Sequence, residues 1–178
     1  MPQSLARRRV VRPPRSAAPS EGATRCTVSL PLQRAQLPPV PSTLLIPLAA
    51  RAHGGRYFPW LDCRDAVAPA LLARLDADVN GTLDDLHTVL HVLWRTRAIQ
   101  EAGRAFFAEH PQALGVNLGC GLTHYFQWLD GGANQWLDAD LPEVMALRRP
   151  LLPPPCPRTR HADLDLSQPG WWQRLGLP

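Results

Sequence analysis

The sequence predicts an α/β protein in which helices precede a partial, doubly wound parallel sheet. Two observations support this fold class. Apolar residues first recur at helical spacing, and the pattern then changes to short apolar runs typical of buried strands. The runs alternate with helical segments in the order β-α-β-α-β, which is typical of parallel strands joined by crossover helices.

The first 40 residues differ in composition from the rest of the chain. They contain seven Arg, seven Pro and one acidic residue, whereas the remainder contains twelve Arg and fourteen Asp or Glu. Such a segment buries too little apolar surface to offset its ordering entropy. We therefore predict a disordered tail over residues 1–41. The net charge of +4 belongs to this tail and does not indicate a nucleic-acid-binding face.

Residues 42–112 form a predicted helical region. The apolar run at 43–52 favours a helix after Pro47. A second helix is expected from Asp65 to Leu75, because its apolar residues recur on one stripe.

The longest predicted helix follows this pair. Thr82, with Asp85 three residues later, has the spacing of a capping box. His110 stands before a proline, which disfavours helical backbone at the preceding residue. The helix is therefore expected to begin near Thr82 and to end at His110.

Residues 113–178 are predicted to form the first half of the sheet domain. The first run is almost continuously apolar, as in a strand buried on both faces. The predicted order is strand 113–118, helix 122–129, strand 135–140, helix 142–149 and strand 159–164.

The spacing of the cysteines and the hydropathy of the chain bear on its metal sites, its disulfides and its cellular location. The four Cys are scattered without a CxxC pair, which argues against a disulfide framework and a structural zinc site. No apolar run reaches the roughly 18 residues of a membrane span. The Arg-rich start lacks the apolar core of a secretory signal. We expect a cytoplasmic protein with no metal and with neither a membrane nor a nucleic acid as partner.

The candidate site is the turn after the first strand, where Gly119 and Gly121 flank a cysteine. Parallel sheets bind ligands at the carboxyl ends of their strands, and glycines there admit a cofactor close to the backbone. Asp140 follows Gly121 by nineteen residues and ends the second strand. An acid at this place can accept hydrogen bonds from ribose hydroxyls. Asp138 lies nearby, and only one of the two acids need contact the sugar.

This spacing fits either a nicotinamide cofactor or S-adenosylmethionine. Nicotinamide sites usually carry a third glycine, in the pattern GxGxxG, and no glycine stands at or beside Tyr125. A pyrophosphate fits less naturally without that glycine, so the turn favours S-adenosylmethionine. A nicotinamide-binding oxidoreductase domain stays as an alternative.

Co-linear segments across residues 42–175 resemble one known family. They are Val116-Asn117-Leu118-Gly119-Cys120-Gly121-Leu122, Trp136-Leu137-Asp138-Ala139-Asp140-Leu141-Pro142-Glu143-Val144, Arg148-Arg149, and the pieces 43–52, 95–99 and 162–166. In these segments the chain resembles the leucine carboxyl methyltransferase family, above all its bacterial branch of polyketide-synthesis O-methyltransferases. The resemblance implies a Rossmann-like class I methyltransferase with seven strands, of which this chain supplies three, as if truncated after the third.

The resemblance also implies a cofactor-binding role for Arg95, Gly119, Gly121, Asp140, Asp163 and Leu164. The glycines would approach the methionine part of S-adenosylmethionine, and the acid ending the second strand would hold its ribose. Asp163 and Leu164 would contact the adenine. Arg95, or Arg97 if the alignment shifts, would pair with the cofactor carboxylate. No catalytic residue is identified, and Cys120 is interpreted as a packing residue.

The implied reaction is methyl transfer to a hydroxyl or carboxylate oxygen of a small molecule or a protein carboxyl group. A different class is an inactive, truncated remnant that at most binds a cofactor or a protein. One departure lies next to the turn, where Thr123-His124-Tyr125 replaces the family's usual Asp-Thr-Arg. We expect His124 on a helix surface.

Overall fold

The computed structural model describes residues 25–26, 42–77 and 79–176. Its helices and strands are α1 Ser42–His53, α2 Ala68–Leu75, α3 Leu86–Glu109, β1 Leu114–Leu118, α4 Phe126–Leu129, β2 Gln135–Asp140, α5 Pro142–Leu151 and β3 Thr159–Asp163. The predicted class, helices followed by a parallel sheet, is confirmed. The predicted tail, residues 1–41, lies outside the described residues apart from Arg25 and Cys26.

The three strands form one parallel sheet in the order β1-β2-β3. Leu118 pairs with Ala139, and Asp140 pairs with Asp163, so the three carboxyl ends lie at one edge. Among the described strands, β1 has a neighbour on one side only. This register brings the turns that follow β1, β2 and β3 together.

The two faces of the sheet are covered by different elements. Trp136 packs against Phe107 of α3 and Phe126 of α4. Leu137, whose side chain points the opposite way along β2, packs in a cluster with Leu175. Helices therefore cover one face, and the 3-10 turn Trp171–Leu175 covers part of the other.

The helix α2 begins three residues later than predicted. Asp65 stays before the helix, where its carboxylate accepts hydrogen bonds from the N–H groups of Val67 and Ala68, both at 2.9 Å. The other oxygen of Asp65 pairs with the Arg51 guanidinium of α1 at 2.9 Å, and both side chains are buried. The acid therefore joins α1 to the first turn of α2.

The helix α3 begins at Leu86, and the predicted capping box is wrong. Asp85 is itself the capping residue, since its carboxylate accepts hydrogen bonds from the N–H groups of His87 and Thr88 at 3.1 and 3.2 Å. The residues before it form a 3-10 turn, Asn80–Leu83. The cap was therefore misplaced by one turn.

The helix predicted at 122–129 is reduced to its last four residues. The loop before it contains two left-handed glycines, and its carbonyls turn toward the side chain of Arg148 on α5. These carbonyl contacts take the place of the helical hydrogen bonds that the apolar spacing predicted.

A disulfide joins Cys26 to Cys156, contrary to the expectation from the scattered cysteines. The two residues are 130 positions apart, so their pairing depends on the fold and not on local spacing. Cys63 and Cys120 are free and buried. No helix in the described part of the chain is long and apolar enough to cross a membrane.

Candidate functional site

The glycine turn after β1 folds back onto the end of β2. The N–H groups of Gly119 and Cys120 both donate to the carbonyl oxygen of Ala139, at 2.9 and 3.2 Å. Gly119 has a φ of 67° and Gly121 a φ of 49°, which disfavour other residues. A side chain at Gly119 would meet no atom within 4 Å, so the backbone there borders open space. A ligand can therefore approach the bare peptide at this position.

Asp140 is fastened to this turn by its carboxylate. One oxygen, Oδ2, accepts the N–H of Gly121 at 2.7 Å, and Oδ1 accepts the N–H of Leu141 at 2.8 Å. Each carboxylate oxygen has two acceptor positions, so one position on each oxygen remains. Two remaining acceptors on one carboxylate match the two adjacent hydroxyls of a ribose.

Asp138, the other acid considered for the sugar, is buried and its contacts lie inside the protein. Its Oδ2 lies 2.6 Å from Nη2 of Arg148, in a pair whose side chains are 3 % and 0 % exposed. Its Oδ1 accepts hydrogen bonds from Asn117 and from the indole of Trp136, at 2.9 and 3.0 Å. Asp138 is therefore buried and paired, whereas Asp140 is partly exposed and stays the predicted ribose-binding acid.

Arg148 is the residue at this site that sequence reasoning did not assign. Its Nη1 donates to the carbonyl oxygens of Gly121 and Thr123, both at 2.8 Å, while Nη2 binds Asp138. The signal in the sequence was that Arg148 lies in a segment resembling the methyltransferase family, ten residues after Asp138. That spacing alone predicts no contact with the glycine turn.

Asp163 and Leu164 lie beside Asp140 at the same edge. Asp163 pairs with Arg149, and both of these side chains are 44 % exposed. Leu164 donates its backbone N–H to the carbonyl oxygen of Asp140 at 2.7 Å, while its side chain is buried against Leu137. Their contact with adenine stays a prediction, and the N–H of Leu164 is already taken by Asp140.

The two candidate arginines of α3 differ in their surroundings. Arg97 pairs with Glu101 one turn later, at 3.2 Å. Arg95 is exposed, and its charge reaches Tyr125 in the loop after the glycine turn. Burial raises the pKa of Tyr125, and the charges of Arg51 and Arg95 only partly offset that rise. Binding of a cofactor carboxylate by Arg95 stays a prediction, with Arg97 as its alternative.

Two residues of the turn have strongly shifted pKa values because they are buried. Burial, reinforced by the charge of Arg148, lowers the pKa of His124 to about 4. Burial also raises the pKa of the Cys120 thiol to about 12, and its sulfur packs 3.6 Å from that of Met145. His124 lies in the loop, so its expected position on a helix surface is wrong. Near neutral pH both groups are uncharged, and Cys120 is a packing residue.

A separate surface depression lies at α2. It is lined in part by His53, Leu72, Asp76 and Val79. None of the predicted cofactor-binding residues lines it. The glycine turn is thus an open edge of the sheet and not part of this depression.

The glycine turn and the acids ending β2 and β3 have the arrangement in which α/β proteins bind nucleoside-containing cofactors. No family model matches the chain. Over 115 residues, 64% of its length, the chain is 36% identical to the tetracenomycin polyketide synthesis O-methyltransferase TcmP of Streptomyces glaucescens. It spans 42% of that protein's length. The similarity supports a relationship to methyltransferases.

Proposed function

We propose that this protein binds S-adenosylmethionine and transfers its methyl group to a hydroxyl or carboxylate oxygen. The observation that carries the proposal is the attachment of Asp140 to the N–H of Gly121 at 2.7 Å. It couples the ribose-binding acid directly to the glycine turn. The similarity to an O-methyltransferase supports the same reaction class.

The hydrogen bonds of the turn favour S-adenosylmethionine over a nicotinamide dinucleotide. A pyrophosphate is usually bound by free backbone N–H groups at such a turn. Here the N–H groups of Gly119 and Cys120 are taken by Ala139, and that of Gly121 is taken by Asp140. S-adenosylmethionine has no phosphate, so it does not need these donors.

Polar groups at this edge, together with Arg95 of α3, are proposed to bind the rest of the cofactor. Asp140 has acceptor positions left for the ribose, and Asp163 offers a half-exposed carboxylate for the adenine amine. Arg95 offers a guanidinium for the methionine carboxylate. Gly119 leaves space beside the backbone. Each polar part of the cofactor is thus assigned one residue of the predicted site: Asp140 for the ribose, Asp163 for the adenine amine and Arg95 for the carboxylate.

When bound, S-adenosylmethionine supplies a methyl group activated by its positive sulfonium. The residues of this chain would hold the donor, align it with the acceptor and exclude water. The acceptor is a small molecule or a protein carboxyl group. A carboxylate acceptor needs no general base. His124 is a weak base with a pKa of about 4, so it does not fill that role for a hydroxyl acceptor.

The proposal is tested by calorimetry with S-adenosylmethionine, S-adenosylhomocysteine and NAD. An Asp140→Asn variant is expected to bind S-adenosylmethionine about tenfold or more weakly, because charge-assisted hydrogen bonds to the ribose are lost. Asp85→Asn is the matched control, since asparagine caps a helix as well as aspartate does. It removes the same charge and is expected to leave the affinity unchanged.

Three results would contradict the proposal. Folded protein that gives no heat with either sulfur ligand would exclude binding of S-adenosylmethionine. Heat with NAD alone would favour the oxidoreductase alternative. Binding of S-adenosylmethionine without formation of S-adenosylhomocysteine, across a panel of phenol and carboxylate acceptors, would favour a cofactor-binding module without activity.

A further inference from the structure

The guanidinium of Arg148 lies beneath the glycine turn and contacts it at two points. We propose that Arg148 is a positioning residue, which fixes the conformation of this turn and thereby sets its affinity for the cofactor. The effect on affinity rests on the function proposed above, whereas the effect on the turn does not. Arg148 would act without touching the cofactor, because its side chain is fully buried.

The first support is where the guanidinium donates its hydrogen bonds. Nη1 bonds the carbonyl oxygens of Gly121 and Thr123, each at 2.8 Å. The loop is not helical here, so these carbonyls have no helical N–H partner. The guanidinium of Arg148 thus takes the place of backbone hydrogen bonds at these two carbonyls. The carbonyl between them, that of Leu122, accepts from Nη2 of Arg51 at 3.5 Å.

The second support is that the guanidinium is itself held in place. Asp138 of β2 binds Nη2 at 2.6 Å, and Asn117 of β1 donates to the same carboxylate at 2.9 Å. The planar fork of arginine can bind a carboxylate and two carbonyls at once, whereas a lysine ammonium is a point charge. The network therefore ties the turn to two strands and to α5.

The third support is that Gly121 is held from both sides. Its N–H donates to Asp140 and its carbonyl accepts from Arg148. Both peptide units around a left-handed residue, at a φ of 49°, are thereby fixed. If the carbonyl is released, the peptide can rotate, and Asp140 then loses its N–H partner on the turn. The consequence reaches the acid proposed to hold the ribose.

A purely structural role would be to hold α5 against the sheet. That role predicts a general loss of stability and no selective change at the turn. Arg158 provides a matched control for this difference. It pairs with Asp130 at 2.7 Å and donates to the carbonyl of Asn134 at 2.9 Å, at the amino end of β3.

The experiment compares Arg148→Lys with Arg158→Lys in the full chain. Amide hydrogen exchange is measured across residues 119–123, together with thermal unfolding and calorimetry with S-adenosylmethionine. Arg148→Lys is expected to speed exchange in this segment and to weaken binding about tenfold or more. Arg158→Lys is expected to leave both unchanged, even where it lowers the unfolding temperature by the same amount.

Equal exchange at 119–123 in Arg148→Lys and in the unaltered protein would overturn the positioning role. Equal effects in both arginine variants would overturn it as well, since they would reflect stability alone. If Arg148→Lys does not fold, Asp138→Asn applies the same test, with a smaller shift expected in the same direction. If the unaltered protein does not bind S-adenosylmethionine, the proposed function fails, while the exchange data still decide the role of Arg148.

Discussion

The two edges of the sheet each contain an aspartate–arginine pair, and the pairs differ in burial. At the carboxyl edge, the side chains of Arg148 and Asp138 are 0 % and 3 % exposed. At the amino edge, those of Arg158 and Asp130 are 19 % and 8 % exposed. The amino edge is also crosslinked by the disulfide of Cys26, whose N–H donates to Asp130 at 2.8 Å.

The difference shows two ways of fixing a loop. The amino edge combines a covalent bond with a partly solvated ion pair. The carboxyl edge, where the cofactor is proposed to bind, relies on hydrogen bonds among buried charges. Removing one partner of a buried pair leaves the other without compensation, so this edge is the more sensitive to single substitutions.

The largest expected effect comes from breaking the buried pair. Asp138→Ala leaves the guanidinium of Arg148 buried without its carboxylate, and it should lower the free energy of unfolding by about 3–5 kcal/mol. Urea unfolding measures this loss. A decrease below about 1 kcal/mol would mean that water or another group takes over the charge, and would contradict the comparison between the edges.

The second effect concerns the disulfide at the amino edge. Reduction, or Cys156→Ser, should lower the free energy of unfolding by about 2–4 kcal/mol, because the crosslink restricts the unfolded chain. Alkylation of denatured protein followed by mass measurement checks the pairing. Cys63 and Cys120 should react before reduction, and all four cysteines only after it. Reaction of Cys26 without a reductant would contradict the disulfide.

The carboxyl edge was largely predictable from sequence, and the contacts beneath it were not. Strand β2 coincides with its predicted bounds, since its apolar residues and terminal acids give a clear local pattern. The sequence already favours Asp140 for the ribose, but it does not predict that Asp138 pairs with Arg148, which approaches from a helix packed on the sheet. The contacts of the same arginine with the loop after Gly121 also explain why α4 is shorter than the helix predicted there. Local spacing contains no information on such contacts between elements.

The contacts at the amino edge were even less predictable from the sequence. The pairing of Cys26 with Cys156 spans 130 positions, and no spacing rule relates them. Arg158 and Asp130 likewise meet only when β3 pairs with β2. Sequence patterns predict elements of a few residues, whereas these contacts require the assembled sheet.

A third effect, smaller than the first two, is the pH dependence of the amino edge. Burial raises the pKa of Asp130, but hydrogen bonds from Arg158 and the Cys26 N–H more than offset it, so the pKa is lowered. A lowered pKa gives stability that is present above the unfolded value of about 3.9 and is lost as pH falls through the folded value. Urea unfolding from pH 6 to pH 2.5 should therefore show a steeper decline for the unaltered protein than for Asp130→Asn. Parallel curves would contradict this assignment.

The smallest effect separates two adjacent arginines. Arg149 pairs with Asp163 on the surface, where both side chains are 44 % exposed, so Arg149→Gln should change the free energy of unfolding by no more than about 0.5 kcal/mol. If Asp163 accepts the adenine amine as proposed, Arg149 competes with that amine for the carboxylate, and the variant should bind S-adenosylmethionine at least as tightly as the unaltered protein. Asp163→Asn should bind it more weakly. Calorimetry on both variants decides this, and weaker binding by Arg149→Gln would assign the cofactor contact to the arginine and not to Asp163.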